Sequence, residues 1–203
     1  SRMYFLLIDV RERHRVKLKI GGSTVRSESD LEEQSEEMSF AEGIDKLLAK
    51  SKVIEAEKRC IALFEHDTTS IDACRGLLKI YKEKKESDHA QDMAKYLTKL
   101  SLKRMRDAHP DEHALRVSEY TESMADLAEI ALANDDTAAA LAAARQALKY
   151  QENNPKYLDL LVHVHVARKE RLKAEKAVAL LEKANPDNQK IAEFEKKIAE
   201  LSY

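Results

Sequence analysis

Residues 71–104 read IDACRGLLKIYKEKKESDHAQDMAKYLTKLSLKR, and residues 155–188 read PKYLDLLVHVHVARKERLKAEKAVALLEKANPDN. Within the first stretch Ala90 lies 90 − 56 = 34 residues after Ala56, and within the second Ala174 lies 174 − 140 = 34 residues after Ala140. A fixed period of this length is typical of stacked helical hairpins, in which each unit buries its apolar face against its neighbours. The sequence therefore predicts a helical repeat array and favours a binding scaffold over an enzyme.

The same period holds at other apolar positions. Frames that start at Glu37 and Ile71 place small or apolar residues in register, as do frames that start at Thr121 and Pro155. In the first pair of frames, Phe40, Ile44, Leu47, Ala56, Cys60 and Leu63 align with Cys74, Leu78, Tyr81, Ala90, Ala94 and Leu97. The second and third frames are 121 − 71 = 50 residues apart, so 50 − 34 = 16 residues are inserted between the two pairs.

These positions resemble the tetratricopeptide repeat (TPR) over residues 37–188. The residues that carry the resemblance best are Leu77, Leu78, Tyr81, Ala90, Ala94 and Leu97. The family's glycine in the first helix is replaced by Ile44, Leu78, Ala128 and Val162, and its closing proline appears in register only as Pro186. The resemblance implies an all-α fold, a TPR-like α-solenoid of four helical hairpins followed by a C-terminal capping helix.

The period and the inserted residues predict five segments. They are a basic and then acidic N-terminal tail and linker at 1–36, repeats 1 and 2 at 37–104, an insertion at 105–120, repeats 3 and 4 at 121–188, and the capping helix at 189–203. We expect helices near 38–50, 53–65, 70–84, 87–108, 111–133 and 138–150, with the fourth repeat after Pro155. The insertion lengthens the two central helices, so we expect a protruding hairpin that offers a contact surface.

Composition favours helices and gives no strong global field. The chain of 203 residues has only 4 glycines and 3 prolines, and its formal net charge is −2. Such a balance does not attract nucleic acid, so we expect no nucleic-acid partner. Cys60 and Cys74 occupy small core positions and are interpreted as reduced packing residues, which places the chain in the cytoplasm by default.

The N-terminal tail allows several interpretations. Its bases, Arg11, Arg13, Arg15, Lys17 and Lys19, follow a short apolar run, and Val16, Leu18 and Ile20 alternate with lysines as in a strand. Basic residues beside an apolar run are also typical of the cytoplasmic end of a membrane helix, which would put the protein at the inner face of a membrane. Arg11 and Arg15 additionally resemble the opening of a PilZ domain, a cyclic di-GMP receptor. A generic basic tail is the remaining alternative.

Motifs for catalysis and for metal binding are missing from the sequence. It has no Gly-rich phosphate loop, no paired Cys-x-x-Cys spacing and no Gly-x-Ser-x-Gly elbow, so we expect no enzyme, no cofactor and no metal. His163 and His165 lie two apart and point to nearly opposite helix faces, one toward a groove and one toward the core. His109 and His113 are four apart, but Pro110 separates them.

A concave groove lined by the first helix of each hairpin is the predicted site. The outward positions in the TPR-like register are Arg75, Lys79, Lys82, Ala125, Glu129, Asp159, His163 and Val166. The basic trio suits an acidic peptide or carboxylate, whereas Glu129 and Asp159 suit a basic segment. Ala41 and Asp45 stand where the chaperone-binding carboxylate clamp of some TPR proteins has lysine and asparagine, so that partner is disfavoured.

The sequence thus predicts a non-catalytic scaffold or adaptor. It would bind another protein or peptide through the groove or the central hairpin, as a membrane-tethered subunit of a bacterial assembly or secretion complex. One alternative is a self-assembling, homo-oligomeric structural protein, because exposed solenoid ends stack. Another is a cyclic di-GMP sensor that uses Arg11 and Arg15.

Overall fold

The computed structural model describes residues 39–201, and this range is all-helical, with no strand. Nine helices occupy it: α1 Phe40–Ala49, α2 Val53–His66, α3 Ile71–Glu83, α4 Ser87–Arg106, α5 Pro110–Ala133, α6 Thr137–Tyr150, α7 Pro155–Ala167, α8 Arg171–Ala184 and α9 Ile191–Ala199. The all-α prediction is confirmed for this range, and the first six helices begin and end within two residues of the expected positions. The predicted strand at Val16, Leu18 and Ile20 lies outside the described residues.

Side-chain caps and prolines fix where several helices start. Ser39 forms a capping box before α1, in which its hydroxyl accepts from the Glu42 amide at 3.3 Å and its own amide donates to the Glu42 carboxylate at 3.0 Å. Ser70 and Asn154 cap α3 and α7. These caps satisfy backbone amides that have no partner inside the helix.

One turn geometry recurs between the two helices of every hairpin. Within residues 39–201, the residues with positive φ are Ser51, Lys85, Asp135 and Lys169, with φ between 55° and 58°. Each is followed by a residue whose amide donates to the carbonyl five positions earlier, at 2.8–2.9 Å, which closes the helix as a Schellman motif. The spacings are 85 − 51 = 34, 135 − 85 = 50 and 169 − 135 = 34, the same steps that separate the sequence frames.

The chain divides into two compact units, whose described parts are 39–68 and 69–201. In the first unit, α1 and α2 pack against each other as a hairpin. Ile44 and Leu47 of α1 and Ala56, Cys60 and Phe64 of α2 are buried in this unit. The hairpin is therefore built on the apolar positions that the period identifies.

In the second unit, each helix packs against the next one along the chain, and α5 also packs against α7 and α7 against α9. The recurring alanines of the second helices lie at these contacts, since Ala90, Ala140 and Ala174 are between 0% and 3% exposed. Small side chains at these positions let neighbouring helices approach closely. The alanine period thus marks buried helix contacts in the unit.

Helix α7 is apolar on two faces. Tyr157 and Leu160 belong to a buried cluster with alanines of α5 and α6. Leu158 and Val162 belong to a second buried cluster with α8 and α9. A helix that buries apolar residues in both directions requires a neighbouring element on each side.

No helix in residues 39–201 is both long enough and apolar enough to cross a lipid bilayer. The two longest helices are α4, with 20 residues, and α5, with 24 residues. They carry the inserted residues, as the sequence predicts. Tyr120 of α5 packs edge-on against Tyr150, the last residue of α6, with ring centroids 5.5 Å apart, so residues 110–119 extend past the end of α6.

Candidate functional site

The faces of α3 and α5 that carry the predicted groove residues are linked by ion pairs. Arg75 Nη2 lies 3.4 Å from the Glu122 carboxylate, and Lys82 Nζ lies 3.4 Å from the Glu129 carboxylate. Both pairs have the same offset, 122 − 75 = 47 and 129 − 82 = 47. Lys79 is exposed between the two bases on the same helix. The structure therefore brings Arg75, Lys82 and Glu129 together, but as partners of opposite charge rather than as separate basic and acidic patches.

A parallel set of contacts joins α7 to α9. Lys190 Nζ donates to the Asp159 carboxylate at 2.8 Å, and the rings of His163 and Phe194 meet edge-on with centroids 4.8 Å apart. The offsets are 190 − 159 = 31 and 194 − 163 = 31. Since the frame steps are 50 and 34, both sets are three residues short of a whole step (50 − 47 = 3 and 34 − 31 = 3). The α3–α5 and α7–α9 contacts thus share one stagger.

Asp126 stands between the two ion pairs of α5 and is partly buried. Burial raises the pKa of its carboxyl, Glu129 raises it further, and Lys82, Lys156 and Arg75 oppose that shift. It forms no hydrogen bond and no ion pair with any residue in 39–201. A half-buried carboxylate in this state can accept a hydrogen bond from a donor on a partner.

Two of the predicted groove residues are not fully available. Ala125 is 0% exposed and belongs to a buried cluster with Ala143, Ala144 and Ala147 of α6, so its expected outward position is wrong. The physical reason is that these small residues let α5 settle close to α6 and turn Ala125 inward. Val166 is partly buried against the core between α7 and α8.

Asp159 and His163 lie on the expected face, but α9 engages both of them. Burial lowers the pKa of His163, with Asp159 acting in the opposite direction. The Oδ1 atom of Asp159 is buried and has no hydrogen-bond partner among the described residues. His165 takes the core side of the helix, as expected, and is 4% exposed.

His165 belongs to a polar network that joins the end of α7 to the start of α8. Its Nδ1 lies 2.7 Å from the Glu170 carboxylate, which also accepts from Arg168 at 3.3 Å and from Lys173 at 3.0 Å. Hydrogen bonds from Arg168, Lys173 and His165, in that order of effect, lower the pKa of Glu170 to about 2. The network stabilises the turn between the helices and lies apart from the α3–α5 ion pairs.

Sequence reasoning identified Glu129 on α5 but missed Glu122, Asp126, Lys156 and Lys190. Glu122, Asp126 and Glu129 follow each other at spacings of 4 and 3, which places them on one helix face. That spacing is visible in the sequence and could have identified them. Lys156 and Lys190 gave no such signal, because their roles depend on how α7 and α9 pack.

Residues 39–201 contain no group of three or more His, Cys, Asp or Glu side chains that could hold a metal ion. His109 lies 3.3 Å from the Asp111 carboxylate at the exposed start of α5. Cys60 and Cys74 are both buried, as expected for packing residues. The basic tail, Arg11, Arg13, Arg15, Lys17 and Lys19, lies outside the described residues.

The sequence matches no protein-family model, and the comparison with curated proteins gives no significant match.

Proposed function

We propose that the chain is a TPR-like solenoid that serves as a non-catalytic scaffold for a protein or peptide partner. Four hairpin turns of the same geometry, at the spacings of the sequence frames, support the repeat, and so does the stagger that the α3–α5 and α7–α9 contacts share. In such an array each hairpin contacts only its neighbours, and the first helices form an extended binding surface. This architecture commits its apolar residues to stacking and leaves charged side chains at the surface.

The observation that carries the binding role is Asp126. The bases of α3 and the glutamates of α5 compensate each other, so the face has no single sign that would select a purely acidic peptide. Asp126 is partly buried between these pairs and forms no ion pair or hydrogen bond within residues 39–201. The partner that fits best offers a lysine, an arginine or a backbone amide at this point. Polar residues beside it would form hydrogen bonds or ion pairs in place of those between α3 and α5.

Asp126→Asn tests the anchor directly. Asparagine keeps the shape of the side chain and removes its charge, so a partner recovered with the full chain in a pull-down should be lost or weakened at least tenfold. Such a loss equals about 1.4 kcal/mol of binding free energy. Folding should improve slightly, because a charged group is no longer desolvated. Unchanged recovery of the partner contradicts the assignment of Asp126.

A charge swap separates binding from stability on the same face. Arg75→Glu with Glu122→Arg keeps an ion pair between α3 and α5 but reverses each end of it. We expect the swapped variant to unfold at the same denaturant concentration as the wild type and to bind the partner more weakly. The variant with Arg75→Glu alone serves as the control for a broken pair.

The other roles suggested by the sequence stay predictions. Membrane tethering, cyclic di-GMP binding and membership of a bacterial assembly or secretion complex depend on residues 1–36. Self-assembly depends on surfaces at the ends of the array.

A further inference from the structure

A second surface lies between α8 and α9, away from the α3–α5 ion pairs. It is a shallow groove of about 360 Å³ with an apolar floor and an acidic rim. Its lining residues are Arg171, Glu175, Val178, Ala179, Glu182, Glu195, Ile198 and Ala199.

The rim of this groove has glutamates at positions where the preceding period has leucines. Subtracting 34 from Glu175, Glu182 and Glu195 gives positions 141, 148 and 161, and all three are leucine. The floor stays apolar, since Val178 and Ile198 follow Ala144 and Val164 by the same step. The rim positions are therefore leucine in one period and glutamate in the next, whereas the floor positions are apolar in both.

The equivalent place one period earlier is filled by a helix. Leu148 and Leu161 pack against a cluster that includes Ala174, Ala177 and Leu181 of α8. Helix α8 thus packs on α7, with Leu148 of α6 at the edge of the cluster, and turns a stripe of small residues toward them. The groove between α8 and α9 is the corresponding slot, and no helix within 39–201 occupies it.

Helix α9 shows which of its faces the array uses. Its Ile191, Phe194 and Ile198 follow the α7 residues Tyr157, Leu160 and Val164 by 34 positions, and these contact the preceding hairpin. On the other face, Glu195 and Lys196 stand where α7 has Leu161 and Val162. Both are exposed, so that face is shaped for a polar environment or for a charged occupant.

Two of the three rim glutamates have no ion-pair partner within residues 39–201. Glu175 pairs with Arg171 at 3.0 Å, whereas Glu182 and Glu195 form no ion pair with any residue in 39–201. Acidic groups above an apolar floor complement a helix that has small residues on one face and bases beside them.

We propose that the groove between α8 and α9 docks an amphipathic helix of a partner protein, with small apolar residues facing the exposed Ala179 and Ala199 and lysine or arginine facing Glu182 and Glu195. This docking surface is separate from the face that carries Asp126. It extends the array by one helix, in the way that α8 extends it over α6 and α7.

The test uses a helix of known fit to such a slot. The probe is a fluorescent peptide with the sequence of residues 171–184, which carries Arg171, Lys173, Lys176 and Lys183 against two glutamates. Fluorescence anisotropy at low salt should show saturable binding to the full chain. Binding should weaken at least tenfold with the Glu182→Lys/Glu195→Lys variant, and to a similar extent when the four bases of the peptide are replaced by glutamine.

The matched control is Glu83→Lys/Glu152→Lys, which makes the same change in net charge at exposed positions outside the groove. It should bind the peptide as the wild type does. Equal weakening in both variants, or absence of saturable binding to the wild type, overturns the proposal, because the glutamates then only close the stack. Sedimentation of the wild type tests the remaining occupant. A dimer that Glu182→Lys/Glu195→Lys abolishes would assign the groove to a second copy and overturn the proposed partner.

Discussion

At the residue scale, the protonation state of His163 affects how stably α9 packs against α7. Its ring contacts Phe194, and the charged groups that face it are Asp159 on α7 and Lys190, Glu193 and Lys197 on or beside α9. Burial lowers the pKa of His163 below 6.5, so the folded chain holds fewer protons there than the unfolded chain. The stability due to this group is complete above pH 6.5 and is lost as the pH falls toward the folded pKa.

His163→Phe should remove this pH dependence. The substitution keeps an aromatic contact with Phe194 and cannot take up a proton. Urea unfolding between pH 5 and 8 should show the wild type losing stability relative to the variant as the pH falls through 6.5. His113→Phe, at an exposed position, is the control and should follow the wild-type profile. A constant difference between wild type and His163→Phe over this range would contradict the assignment.

Glu170 behaves in the opposite sense. Its pKa is lowered from 4.5 to about 2, so its contribution to stability is present above pH 4.5 and is lost as the pH falls toward 2. Glu170→Gln weakens the charge-assisted hydrogen bonds with Arg168, Lys173 and His165 and should cost about 1–3 kcal/mol at pH 7. The cost, measured by urea unfolding, should shrink near pH 2. Glu152→Gln, which is exposed, is the control, and an equal cost at both pH values would argue against the network.

At the element scale, the backbone conformation of the hairpin turns costs free energy, and the sequence does not show this cost. Ser51, Lys85, Asp135 and Lys169 adopt a left-handed conformation that favours glycine, and none of them is glycine. Glycine at such a position is the usual sequence signal for the end of a helix, and its absence hides the shared turn. The turns form despite this cost, because the two helices of each hairpin bury their apolar faces against each other.

Lys169→Gly should therefore stabilise the fold by about 0.5–1 kcal/mol, since glycine has no Cβ to strain in this conformation. Lys169→Ala keeps the Cβ and should give no such gain. The measurement is the midpoint of urea unfolding for both variants, with Lys85→Gly as a second site of the same kind. A loss of stability in both glycine variants would show that the left-handed turn is not present.

The sequence predicted the helices better than the contacts between them. Helix bounds followed from the period and from caps and prolines such as Ser70, Pro110 and Asn154, which act locally. Ala125 was misplaced because its burial depends on how closely α5 approaches α6, which no local pattern encodes. The pairing of Arg75 with Glu122 was missed for the same reason, since the stagger between helices is set by packing.

At the scale of the whole molecule, the central claim is that the first helices lie side by side in a row. Within residues 110–199, α5 packs against α7 and α7 against α9, as such a row requires. A closed helical bundle would use the same helices, but it would bring the outer helices back toward each other. The difference lies in how distance grows with the number of repeats.

Spin labels at Glu122, Lys156 and Lys190 test this claim most directly, because these exposed positions are 34 residues apart, on α5, on α7 and just before α9. Cysteines are placed there in pairs in a Cys60→Ala/Cys74→Ala background, and the distances are measured by electron paramagnetic resonance. Neighbouring helices pack about 8–10 Å apart. The row predicts similar short distances for 122–156 and 156–190, and a 122–190 distance close to their sum. A 122–190 distance no longer than the other two would contradict it.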